Sequence, residues 1–187
     1  MELLASKLTN YILKKGVIEE KDYDIYNYGF ICFLEKALCI ITCIFIALFL
    51  KMLIPCLFFF MFFIPMRSLN GGLHLKSFFA CYICSLLVLL TSLLIFKYIT
   101  LPPAVSFVIY LISAALIIYE GPIDHPNRKV DSYENIIFKK KTNITLIFAT
   151  VISVLLLLFK CNSYLMLEAV IFIFLAITAI AGKYAYR

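Results

Sequence analysis

The 187-residue chain is 64% hydrophobic and 15% charged, against about 45 to 50% and about 25% in soluble domains, and this composition is that of an integral membrane protein. The length suits one domain of several spans and excludes a membrane domain joined to a sizeable soluble one, so any function must sit in the spans or their short connections. A net charge of +6 fits anionic lipid or an acidic peptide equally well, and no nucleic-acid partner is expected.

Met1 to Asn10 carry charge of both signs and lack a continuous apolar core, which argues against a cleavable signal peptide. Leu4, Leu8, Tyr11, Ile12 and Lys15 recur at helical spacing with Glu2, Lys7 and Lys14 elsewhere on the wheel. This reads as an amphipathic helix on the membrane surface, or equally as one packed on the rest of the chain; residues 1–24 are taken as this helix and a linker. Apolar segments follow over about 31–50, 53–66, 78–96, 99–119, 144–159 and 164–182, most approaching the roughly 20 residues a spanning helix needs. The second segment is short, and residues 37–65 also read as one long span interrupted by Lys51 and Pro55. Charge decides between the two. Six spans with a cytoplasmic N-terminus leave only Lys51, Lys97 and Lys160 outside, whereas merging the first two exposes either the N-terminal lysines or the Arg128 to Lys141 region, against the positive-inside rule. The expected fold is therefore a single all-α polytopic membrane domain, residues 1–187, with a six-helix bundle over 31–182 and both termini in the cytoplasm.

Between the second and third spans lies Arg67-Ser-Leu-Asn-Gly-Gly-Leu-His-Leu-Lys-Ser-Phe-Phe-Ala-Cys81. A thiol is a few per cent thiolate at neutral pH, and an adjacent imidazole that takes its proton is the usual activator, so His74 and Cys81 form a candidate base and nucleophile. Seven residues of continuous helix would separate them by about 10.5 Å. The Gly71-Gly72 pair supplies the backbone freedom for the chain to fold back. Read without the surrounding pattern, a loop His and a buried Cys would be structural.

The full pattern, Arg-x-x-x-Gly-Gly-x-His followed six residues later by Cys, resembles the signature of the accessory gene regulator B (AgrB-like) family, membrane peptidases that mature quorum-sensing peptides in Gram-positive bacteria. Chain length, the amphipathic start, the number of spans and the loop Gly121-Pro-Ile-Asp-His-Pro-Asn-Arg128 with basic residues after it extend the likeness to the whole chain. The resemblance implies a cysteine endopeptidase with His74 and Cys81 as the catalytic pair and Arg67, Gly71 and Gly72 in supporting positions. It also implies a short AgrD-like pro-peptide as substrate, cut to a peptidyl thioester and closed into a thiolactone or lactone autoinducing peptide. A homodimer in the cell membrane is implied as well. No metal or organic cofactor is called for.

Other positions are weighed on their own residues. Ser77 is one turn before Cys81 and is a candidate hydroxyl beside it. Cys84 is the decoy nucleophile three residues on, and the remaining cysteines read as small buried hydrophobes. His125 sits in an Asp-His-Pro turn. Lys139, Lys140 and Lys141 are candidate contacts for anionic lipid or an acidic substrate. Glu168, well inside the last span, is a candidate substrate or lipid contact with Lys36 as a conceivable partner. It also carries the rival reading of a small transporter or exporter; a non-catalytic partner of a sensor kinase is a third.

Overall fold

The computed structural model describes residues 1–73, 77–121 and 132–185, which form helices and short connections with no strand. Helix α1 spans Glu2–Lys14, a single 3-10 turn spans Glu20–Asp22, and α2 to α7 span Tyr23–Phe49, Leu53–Asn70, Phe78–Tyr98, Pro103–Glu120, Ser132–Leu158 and Asn162–Ala185. The last six are each long and apolar enough to cross a membrane.

The first two spans are separate helices, and the backbone shows why. Helix α2 stops where Met52 N–H donates to the Ala47 carbonyl (2.8 Å) and Lys51 N–H to the Leu48 carbonyl (3.0 Å), with Lys51 at φ 58°. This is the paired closing pattern that satisfies the last carbonyls of a helix and turns the chain sharply. The same device ends α6, with Cys161 N–H on the Leu156 carbonyl and Lys160 at φ 56°. At the end of α1 the left-handed residue is Gly16. Helix α5 begins with Pro103 after the extended Pro102, where a missing N–H costs nothing.

Helix α1 lays Ala5 and Thr9, both fully buried, against α2, with Thr9 Oγ1 reaching 3.4 Å from Asn27 Oδ1. The apolar positions named above stay largely uncovered by protein: Leu4, Leu8 and Tyr11 are all exposed.

Helix α7 is the centre of the bundle. Leu165 to Phe172 are buried without interruption, the signature of a helix surrounded on all sides, and it packs against α3, α4, α5 and α6. Phe172 meets Tyr110 of α5 edge-on at 4.9 Å and Phe62 of α3 at 6.0 Å. On the outside, α2 is tied to α4 by Tyr82 Oη donating to Thr42 Oγ1 (3.0 Å).

Two expectations change. The connection after α5 is shorter than the sequence suggested, because α6 already begins at Ser132; Lys139, Lys140 and Lys141 are exposed on that helix rather than in a loop. Glu168 is not open to lipid or substrate. It is fully buried, and its Oε2 accepts from Ser153 Oγ at 2.8 Å. Lys36 is exposed on the peripheral α2 and does not pair with it.

Candidate functional site

Cys81 stands in the first turns of α4, its N–H bonded to the Ser77 carbonyl at 3.1 Å. It lines a small cavity of about 50 Å³ with Phe63 and Arg67 of α3, Leu73, Cys84, Ser85 and Val88 of α4, and Thr178 of α7. The cavity lies at the end of the bundle where α3, α5 and α7 finish and α4 starts.

The wall opposite α4 is built by the segment after α3. Gly71 closes the helix at φ 71° and Gly72 follows at φ 127°, backbone that side chains rarely adopt. Arg67 then clamps this segment. Its Nη1 donates to the Gly71 carbonyl and its Nη2 to the Leu73 carbonyl, both at 2.9 Å. One planar guanidinium thereby satisfies two carbonyls left without helical partners. From the other side, Leu73 N–H donates to the Thr178 carbonyl of α7 at 2.9 Å. Gly182, one turn further along α7, lies so close that a Cβ there would stand 2.7 Å from Gly72 C and Leu73 N. At Gly72 itself a Cβ would collide with the Arg67 guanidinium and sit 3.2 Å from the Thr178 carbonyl oxygen. One residue past Gly182, Lys183 pairs with Glu120 Oε2 of α5 at 2.6 Å and covers the Tyr119 ring at 5.8 Å, so the ends of α5 and α7 are held together.

Of the residues singled out from sequence, Arg67, Gly71, Gly72 and Cys81 converge here. His74 lies outside the described residues, as do His125 and the rest of the Pro122 to Asp131 stretch. Ser77 takes a different place from the one expected. It caps α4 in an extended conformation (φ −104°, ψ 132°), makes no side-chain capping bond and is exposed. Ser77 is the N-cap and not among the residues that line the cavity; the hydroxyl-bearing residues there are Thr178 and Ser85, whose Oγ donates to the Cys81 carbonyl at 2.9 Å. Cys84 lines the same cavity and is exposed, so the cavity alone does not separate the two thiols. No disulfide joins the seven cysteines, and no cluster of metal-ligating side chains occurs among the described residues.

Thr178 and Gly182 were missed from sequence. Their Thr-x-x-x-Gly spacing is the small-residue pattern that lets backbones approach inside a membrane.

The family model for accessory gene regulator B matches residues 5–181, almost the whole chain, and so takes in the Arg67 to Cys81 segment and every residue that lines the cavity. The chain belongs to the accessory gene regulator B family. It is a multi-pass membrane protein of the group that processes quorum-sensing pro-peptides. Neither a curated protein nor a solved structure matches the chain.

Proposed function

We propose that this accessory gene regulator B family member is a cysteine endopeptidase that cuts a short pro-peptide and promotes its cyclisation, with Cys81 as nucleophile and His74 as general base and then acid. The observation that carries the reading is the clamped segment Gly71–Leu73, which is held along the cavity lined by Cys81 and leads directly into His74.

The chemistry runs in two exchanges. His74 takes the Cys81 proton, the sulfur attacks the scissile carbonyl carbon, and the C–N bond breaks as the imidazolium returns its proton to the leaving amine. The peptide is then held as a thioester. A thiol or hydroxyl within the peptide loses its proton to His74 and attacks the same carbonyl; the bond to Cys81 breaks and the ring closes. Exchanging one thioester for another is nearly isoenergetic, so a cysteine enzyme keeps the activation that ring closure needs, while a serine ester would forfeit it. The first-turn N–H groups of α4, to which the N-cap Ser77 gives no side-chain bond, are candidate donors to the oxyanion. A cavity of about 50 Å³ is far too small for a peptide, so substrate lies across its mouth, and the small apolar space limits water that would hydrolyse the thioester.

In this reading the cavity faces the cytoplasm. That orientation places Lys183 and Lys139 to Lys141 inside and leaves the Lys51 and Lys160 turns outside, as the positive-inside rule requires. Lys139 to Lys141 then meet anionic lipid or an acidic part of the pro-peptide, and the protein acts as a homodimer.

Mass spectrometry of a candidate precursor incubated with membranes carrying wild type, Cys81→Ala, Cys84→Ala or His74→Ala tests the assignment. Cleavage by wild type and Cys84→Ala, lost in the other two, is the expected result. Equal cleavage by all four overturns it.

A further inference from the structure

Leu73, the residue immediately before His74, has both its backbone polar groups taken: the carbonyl by Arg67 of α3 and the N–H by the Thr178 carbonyl of α7. Gly182 lets this happen. Glycine in a helix costs about 1 kcal/mol relative to alanine, and α7 carries its glycine where the backbone of Gly72 and Leu73 crosses it, 2.7 Å from where a Cβ would be. The atoms it meets are the backbone of Gly72 and Leu73, which have no rotamer to change; added bulk at Gly182 must therefore displace the loop itself. The loop has little room to yield toward α3, because the Arg67 guanidinium occupies that side.

We infer that Gly182, together with the Thr178 carbonyl, is a positioning element for catalysis: the C-terminal part of α7 sets the path of the backbone through Gly72 and Leu73, the residues that lead into His74 in the sequence. The inference rests on the His74–Cys81 reading above and adds residues more than a hundred positions away in sequence. Neither Gly182 nor Thr178 needs to touch substrate. They act through Leu73, which both ends of the bundle's clamp hold at once.

A purely structural role for Gly182 would lower the amount of folded protein and leave the thiol chemistry of what remains unchanged. A positioning role alters that chemistry. The test uses full-length protein in membranes, in a Cys84→Ala background, and measures the rate of Cys81 alkylation by iodoacetamide from pH 6 to 9 together with precursor cleavage. Wild type, His74→Ala, Gly182→Ala and the double variant are compared. The expected result is a Gly182→Ala profile moved onto that of His74→Ala, no further change in the double variant, and cleavage reduced about 100-fold, the scale expected when a catalytic group is misplaced by about 1 Å. A Gly182→Ala profile identical to wild type, with wild type distinct from His74→Ala, overturns the inference and leaves the peptidase reading standing. Identical profiles for wild type and His74→Ala overturn both. Should Gly182→Ala fail to accumulate, Leu73→Pro removes the N–H that binds Thr178 without adding bulk to α7, and the same profiles decide.

Discussion

Arg67 donates to two carbonyls with two different nitrogens, and a lysine ammonium on a flexible stem cannot reproduce that planar fork. Arg67→Lys is therefore expected to keep the positive charge and membrane accumulation while releasing one end of the loop; a charged hydrogen bond is worth about 1.5–3 kcal/mol, so cleavage should fall at least about tenfold. Cleavage rates normalised to protein on an immunoblot check this, and retention of wild-type activity would assign Arg67 a charge role alone. Arg67 illustrates the reach of sequence at this scale. Its residue type and its place in the motif are visible in the chain. That it bonds two backbone carbonyls depends on Gly71 and Gly72 bending the chain back within its reach, and no spacing rule specifies that. Ser77 shows the opposite case: helical spacing placed its hydroxyl beside Cys81, but it is the extended, exposed N-cap of α4, and Ser85 and Thr178 are the hydroxyl-bearing residues that line the cavity.

At the scale of elements, α2 and α6 end on lysines in the left-handed region, Lys51 at φ 58° and Lys160 at φ 56°, where a side chain costs about 1–2 kcal/mol and glycine does not. Lys51→Gly and Lys160→Gly are accordingly expected to raise the thermal unfolding midpoint of the detergent-purified protein. Lys51→Ala should lower it or leave it unchanged. An increase with alanine equal to that with glycine would mean that charge, not backbone conformation, is at issue. The hairpin at Lys51 also makes the topology testable: Lys51→Cys should react with a membrane-impermeant maleimide added outside intact cells, and absence of labelling would reverse the orientation. Periodicity located the ends of these helices to within a few residues, with two exceptions: the start of α2, at Tyr23 rather than about 31, and that of α6, at Ser132 rather than about 144. The start of α6, Ser132 to Thr142, is too polar to read as part of a span, yet it is helical as a continuation of the apolar stretch beyond it.

For the molecule as a whole, α7 binds the bundle together, and Glu168 at its core is the most consequential polar side chain. It is fully buried, accepts one hydrogen bond from Ser153 and has an Oε1 without a hydrogen-bond partner among the described residues. Glu168→Ala leaves both a cavity and an orphaned Ser153 hydroxyl, and a loss of about 2–4 kcal/mol is expected. Glu168→Gln keeps the volume and the acceptor, so its stability should lie within about 1 kcal/mol of wild type. Thermal unfolding of the two variants measures the difference. Precursor cleavage by Glu168→Gln should persist, whereas a transporter dependent on this acid would lose its function, which separates the two readings of the residue.

Composition and apolar periodicity, with the distribution of lysines and arginines choosing six spans over a merged first pair, determined that this is an all-helical, six-span membrane protein, because each span has to satisfy its own backbone and present an apolar surface whatever its neighbours do. The motif from Arg67 to Cys81 likewise marked one end of the bundle as the candidate site. Only the tertiary structure decided that α7 is central, that Glu168 is enclosed with Ser153, and that Thr178 and Gly182 hold the loop before His74. Those facts depend on which helix faces which, and between helices that are apolar all round, the sequence pattern carries no direction; shape and a few close backbone contacts choose the arrangement.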